Sequence, residues 1–300
     1  MLSSLRKSSE IFDPEATKEA IRTMFSPSSE YATALALRAK PYESSQRTQK
    51  REPIPGPWQQ AAVTSFLKGG EGEVNSETDG FCMSIPLVAG LSCDDANRCS
   101  DEYFDSSVAT AVRILSPSDG SVSRSLARAR LLRQIIQNGV IDERSVETSR
   151  LLAGRISAQN VISGCNDEIK SELAAVLSIL PKECFELSQI ASGTSVWGEG
   201  SLSATYLDAT QTFSKACPDP GNFQNCLFNI LSTDTFSEAV RRNIFTGGCN
   251  CSRANFIGAY FGALFGIGTS RGIPLEWIAR TDAGAHVLEK AVDLFRSRGT

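Results

Sequence analysis

Histidine is almost missing from this chain of 300 residues; the single one, His286, lies near the C-terminal end. Four-coordinate zinc is built from Cys, His and carboxylate ligands. The close pair Cys249-x-Cys251 has no imidazole near it in sequence, so a zinc centre is not expected. Long apolar runs are missing too. The longest, Phe256–Ile267, has 12 residues, whereas a membrane-spanning helix needs about 20. An excess of either charge is also lacking, with 30 Lys and Arg against 34 Asp and Glu and a net charge of −4. That balance provides no electrostatic footprint for nucleic acid or an anionic membrane, and neither is expected as a partner. The N-terminus, MLSSLRKSSEIF, lacks the apolar core of a secretory signal. It is basic and contains serine, which leaves an organellar address as the alternative to the expected cytoplasmic location.

The nine cysteines are an odd number and are scattered along the chain. In a chain without a signal peptide this reads as reduced thiols rather than a disulfide framework. No segment alternates apolar and polar residues as a half-buried strand does, and no repeat recurs at a fixed period. Strands and a solenoid are therefore not expected.

What remains is helical periodicity, and the fold class it predicts is all-α. Helices are expected at Pro14–Phe25, Ser29–Ala39, Trp58–Leu67, Phe81–Leu91, Asp101–Leu115 and Val122–Asn138, the last capped by Gly139. Others are expected at Glu143–Gly154, Asn166–Leu180, Leu202–Lys215, Phe223–Leu231, Pro274–Thr281 and Ala283–Arg298. The polar, Pro-rich segment Tyr42–Pro57 and the Gly-rich segment Lys68–Gly80 read as loops. At 41% hydrophobic the chain can bury a large core.

The stretch Glu238–Ala279 is the most informative. An amphipathic helix over Glu238–Phe245, capped by Asp234 or Thr235, is stopped by Gly247-Gly248, since glycine reaches positive φ without steric cost. Cys249-Asn250-Cys251-Ser252 follows and opens a helix that is apolar nearly all round and crowded with small residues. Such a helix is expected to be buried, with its glycines letting neighbouring backbones approach. One reading is a core helix preceded by a tight turn. The other is a site, where backbone N–H groups at the helix N-terminus favour an anion.

The order Gly247-Gly248-x-x-x-Ser252, small-residue helix, Gly272-Ile273-Pro274 and Trp277 resembles the C-terminal signature of the ADP-ribosylglycohydrolase superfamily. Asn250-Cys251-Ser252-Arg253 is similar to the branch that includes the jellyfish J-type crystallins. That branch shows Gly-Gly-Asp-Asn-Cys-Ser-Arg, so Cys249 stands where both patterns carry Asp. Three further stretches resemble the same branch. They are Gly56-Pro57-Trp58-Gln59-Gln60, Phe81-Cys82-Met83-Ser84-Ile85-Pro86-Leu87-Val88 and Pro220-Gly221-Asn222-Phe223-Gln224. The resemblance runs from about Pro53 to Trp277, with a weakly matched insert at Ser116–Cys184.

The resemblance implies a compact, orthogonal all-α domain over residues 53–300, with residues 1–52 adding N-terminal helices and a polar loop to it. It implies ADP-ribose or ADP-ribosylated protein as partner, and hydrolysis assisted by two Mg²⁺ ions. The metal positions it marks are Cys249, Cys251 and Ser252. The ligand-binding positions are Gly56, Trp58, Gln59, Gln60, Gly247, Gly248 and Asn250. The family's N-terminal Gly-Asp and Thr-Asp-Asp-Thr motifs are not found, and Asp13 is the one aspartate before Pro53. Magnesium prefers oxygen ligands, and of the three metal positions Ser252 alone offers one. The expectation is a degenerate family member with no catalytic residues assigned, a weak ADP-ribose binder or a structural protein. The alternative is a working Mg-dependent hydrolase whose N-terminal ligands come from elsewhere or are lost to a truncated gene model.

Overall fold

The computed structural model describes residues 12–26, 28–29, 61–70, 79–93, 99–138, 161, 164–179, 212–281 and 283–296. The described residues form helices and no strand, so the chain is all-α as its periodicity predicts. The helices expected at Ser29–Ala39, Glu143–Gly154 and Leu202–Lys215, and the cap at Gly139, lie outside the described residues or nearly so. The rest appear within a few residues of their expected ends.

In chain order they are α1 (Pro14–Met24), α2 (Ala61–Leu67), α3 (Asp79–Ser92), α4 (Asp101–Arg113), α5 (Asp119–Asn138) and α6 (Asp167–Ile179). Then come α7 (Gly221–Ser232), α8 (Phe236–Thr246), α9 (Asn250–Phe265), α10 (Leu275–Ala279) and α11 (Gly284–Arg296). Several starts are fixed by side-chain caps, which satisfy N–H groups that a helix cannot pair internally. The Asp13 carboxylate accepts from the Glu15 and Ala16 N–H groups at 2.9 and 3.1 Å, with Pro14 following it. Ser100 caps α4 through the Tyr103 N–H, and Thr235 caps α8 through the Glu238 N–H. Of the two caps expected for α8, Thr235 is the one used.

Helix α9 runs through the core, against α3, α5, α7 and α8. Its Phe256, Ile257, Tyr260, Phe261, Leu264 and Phe265 are buried. Phe256 meets Phe81 of α3 edge-on at 5.6 Å between ring centroids, and Phe265 stacks on Phe261. The opposite, small-residue stripe of Gly258, Ala259, Gly262 and Ala263 is only half-buried. A side-chain carbon at Gly262 would meet the Ile273 side chain, not a backbone. Close backbone approach is found elsewhere, at Gly80, where a Cβ would lie 2.4 Å from the Val112 carbonyl oxygen of α4. Among the described residues, neither Gly258 nor Gly262 meets a neighbouring backbone.

Helix α5 carries the least expected packing. Arg124, Arg128 and Arg133 are all buried on it. Arg128 forms a two-pronged pair with Asp219, at 3.0 and 2.7 Å, and both side chains are fully buried. Its guanidinium lies over the rings of Phe81 and Phe223 at 5.4 and 4.8 Å. Burial works against the Arg128 charge, and Asp219 more than offsets it, so its pKa is raised. Arg124 reaches Glu172 and Glu168 of α6, and Arg133 donates to the Cys99 carbonyl while covering the Phe104 ring. This arrangement ties α5 to α3, α4, α6 and the turn before α7. That turn, Cys217-Pro218-Asp219-Pro220, carries one wall of the site described next.

Candidate functional site

Helix α8 ends at Thr246 and α9 begins at Asn250. The three residues between reverse the chain because Gly247 and Gly248 take φ values of 72° and 65°, a region open to glycine at little cost. Gly248 also has no room for a side chain. A Cβ there would sit 2.1 Å from the Lys215 carbonyl oxygen. The turn is thus pressed against the 215–217 loop, and the Cys249 N–H donates to the same Lys215 oxygen at 2.9 Å.

Arg253, fully buried in the first turns of α9, stitches these pieces together. Its Nε donates to Asn243 Oδ1 of α8 at 2.7 Å. Nη1 donates to the Lys215 carbonyl at 3.1 Å, and Nη2 to Asn250 Oδ1 at 2.8 Å and to the Gly247 carbonyl. Asn243 Nδ2 in turn donates to the Asn250 carbonyl at 2.9 Å. Hydrogen bonds from a charged group contribute about 1.5–3 kcal/mol each, so this one side chain largely defines the turn. Asn250 therefore has its side-chain oxygen engaged with the protein.

On the other side of the turn three thiols and a hydroxyl converge. Cys249 Sγ lies 3.0 Å from Ser252 Oγ and 3.7 Å from Cys251 Sγ. The Cys217 thiol, from the loop before α7, lies within electrostatic reach of Cys249 and Ser252. Cys251 is exposed, Cys217 and Cys249 are half-buried, and Ser252 is buried. No disulfide joins the described cysteines. Burial pushes the Cys249 thiol up, but its interactions with Cys217, the Ser252 hydroxyl and N–H, and Cys251 outweigh it. Cys249 is held below the ordinary thiol range. Cys217 goes the other way, pushed up to about 12 by burial and by its neighbour Cys249. Cys251 is raised as well, first by burial and then by Cys249. Of the three thiols, Cys249 at the start of α9 is therefore the most readily ionised.

The resemblance implies magnesium at Cys249, Cys251 and Ser252, and the donors found there do not fit it. Magnesium takes oxygen ligands in near-octahedral geometry at about 2.0–2.1 Å. The thiols are soft donors, and the Ser252 hydroxyl is the one oxygen that the three positions offer. Among the described residues no group of three or more His, Cys, Asp or Glu side chains is arranged to hold a metal ion.

The structure brings Cys249, Cys251, Ser252, Gly247, Gly248 and Asn250 together at one turn. Gly56, Trp58, Gln59 and Gln60 lie outside the described residues. Sequence reasoning missed Cys217, Asn243 and the structural role of Arg253. The Arg253 signal was present in the Asn-Cys-Ser-Arg run, three residues after the asparagine it binds. Cys217 had no local signal, because its partner lies two helices later.

A family model described as ADP-ribosylglycohydrolase matches residues 1–300. Crystallin J1A of Tripedalia cystophora is 28% identical over 254 residues, covering 83% of this chain and 65% of that protein. Crystallin J1B of the same organism is 27% identical over 256 residues, covering 83% and 66%. The chain thus spans just under two thirds of the length of these curated relatives. No solved structure matches it.

Proposed function

The chain belongs to the ADP-ribosylglycohydrolase family, and from that premise we propose that it is a degenerate member that does not carry out two-magnesium hydrolysis. What it keeps is weak affinity for ADP-ribose. The observation that carries this reading is the contact set of Cys249. Sulfur stands where the family's pattern has a carboxylate, and its neighbours among the described residues are the thiols of Cys217 and Cys251 and the Ser252 hydroxyl, with no carboxylate among them. Two-metal hydrolysis needs both ions to activate water and to stabilise developing charge.

The elements that need no metal support the residual affinity. These are, by resemblance, Gly56, Trp58, Gln59 and Gln60, where backbone N–H groups and an indole ring would meet a pyrophosphate and a base. Neutral backbone hydrogen bonds contribute about 0.5–1.5 kcal/mol each, so the dissociation constant should fall at about 0.1–1 mM. The ordering of the distal ribose and the attacking water is what the missing metals take away.

The test joins a calorimetric titration of ADP-ribose to a release assay on ADP-ribosylated protein with Mg²⁺ present. Weak binding without turnover supports the reading. No binding at millimolar ADP-ribose leaves a structural protein on this fold. Turnover that depends on Mg²⁺ overturns it in favour of a working hydrolase whose carboxylates come from another segment.

A further inference from the structure

The sulfur cluster is a poor magnesium site, and its chemistry is that of an oxidisable thiol site. We propose that Cys249 is a hydroperoxide-reactive cysteine and that Cys217 resolves it, closing a Cys217–Cys249 disulfide across the turn. The inference stands on the packing of the thiols and holds whether or not ADP-ribose binds.

Three observations carry it. The first is proximity. Cys217 lies two residues after Lys215, whose carbonyl accepts the Cys249 N–H at 2.9 Å, and the two thiols act on each other electrostatically although they come from different segments. The second is that their backbones are held side by side by bonds that do not involve sulfur. The Cys249 N–H donates to the Lys215 carbonyl, and Arg253 grips both that carbonyl and the Gly247 carbonyl. Gly248 lets the two chains touch. Disulfides form where Cα atoms already lie within about 4.4–6.8 Å, and cost strain elsewhere. The third is access, since Cys249 is half-buried rather than sealed and exposed Cys251 lies beside it. The buried cysteines Cys99, Cys165 and Cys226 lack that access.

Cys251 is the competing partner, with its sulfur 3.7 Å from Cys249. Closing that pair would form a small ring through Asn250. The Asn250 N–H, carbonyl and side-chain oxygen are bound to Gly248, Asn243 and Arg253. Drawing the two sulfurs together would twist that tethered residue, whereas joining Cys217 to Cys249 ties two segments that are already pinned. Cys217 is therefore assigned as the resolving thiol.

The chemistry balances with a hydroperoxide as oxidant. The Cys249 thiolate attacks one peroxide oxygen, the O–O bond breaks, and an alcohol or water leaves with the proton. Sulfur is oxidised to a sulfenic acid. The Cys217 sulfur then attacks the sulfenic sulfur, the S–O bond breaks, and water leaves with the Cys217 proton. In sum two thiols and one hydroperoxide give one disulfide, one alcohol (or water) and one water. A reducing dithiol reverses it by exchange.

The experiment treats the full 300-residue chain with stoichiometric hydrogen peroxide and maps its peptides by mass spectrometry without reductant. The expected product is a cross-linked pair of peptides carrying Cys217 and Cys249, lighter by two hydrogens than their sum and separated by dithiothreitol. It should persist in Cys251→Ser and vanish in Cys217→Ser, where Cys249 should instead accumulate as a dimedone-trapped sulfenic acid. The wild-type map needs no variant to fold. A second readout is thermal, because the bridge closes a long loop and should raise the melting temperature reversibly by about 5 °C. A Cys249–Cys251 bridge, or irreversible oxidation of Cys249 with no bridge, would overturn the proposal.

Discussion

Replacing Asp219 by asparagine should cost far more than a conservative change usually does. The Asp219 carboxylate is fully buried, makes both bonds to an equally buried Arg128, and also accepts the Phe223 N–H at 2.9 Å. An asparagine would keep the Phe223 bond through its oxygen but would leave the Arg128 charge without a counter-charge. Removing one partner of a buried ion pair costs about 3–5 kcal/mol. The Phe81 and Phe223 rings around the guanidinium return only about 0.5–2 kcal/mol, and they do so already in the native protein. We therefore expect Asp219→Asn to lose about 3–4 kcal/mol, read as a drop in the urea midpoint by circular dichroism. Arg128→Met combined with Asp219→Asn should cost less than the sum of the single changes by at least about 1.5 kcal/mol, since it removes the stranded charge. The lesion should also reach the site, because Asp219 lies two residues from Cys217. A single-mutant loss below about 1 kcal/mol, or simple additivity, would refute the claim that this pair locks α5 to the turn before α7.

Gly248→Ala should destabilise by roughly 3–6 kcal/mol. It adds about 1–2 kcal/mol of left-handed backbone cost to the loss of the Cys249 and Arg253 bonds to Lys215. Gly247→Ala meets no atom within 4 Å among the described residues and should cost only its backbone strain, about 1–3 kcal/mol. Equal melting temperatures for the two variants would contradict this packing. In alkylation by iodoacetamide at pH 7, Cys249 should label before Cys217 and Cys226. Its lowered pKa leaves more thiolate at a given pH, while theirs are pushed up to about 12. Residue-resolved mass spectrometry with Cys217 labelling first would reverse that assignment. Hydrogen exchange should be slowest along Phe256–Phe265, which has the most buried aromatic rings among the described helices, and exchange there at the rate of the flanking loop would contradict its central position.

Much of the helix pattern was legible, because apolar spacing and caps act locally. Thr235, Gly247 and the start of α9 could be placed from neighbours within four residues. The inward face of α5 was not legible. Nothing local in the sequence marks Arg124, Arg128 and Arg133 as buried, since the partner that buries Arg128 lies 91 residues away. The small-residue stripe of α9 misled for a related reason. Glycine spacing shows where a backbone can approach, and only the fold decides whether one does. At the site, the Gly-Gly turn and the soft character of Cys249 and Cys251 were readable from residue type. The third thiol and the Arg253 network were not, because both depend on the 215–217 loop meeting the turn.

The central claim is that sulfur has replaced carboxylate where the family's pattern places a magnesium ligand, and that the family's hydrolysis is lost with it. The most direct measurement is a calorimetric titration of the 300-residue protein with Mg²⁺ in the presence of ADP-ribose, followed by a release assay in the same cell. The account predicts no saturable heat of magnesium binding below millimolar concentration and no release above the uncatalysed rate. Two saturable magnesium sites accompanied by release of ADP-ribose would contradict it.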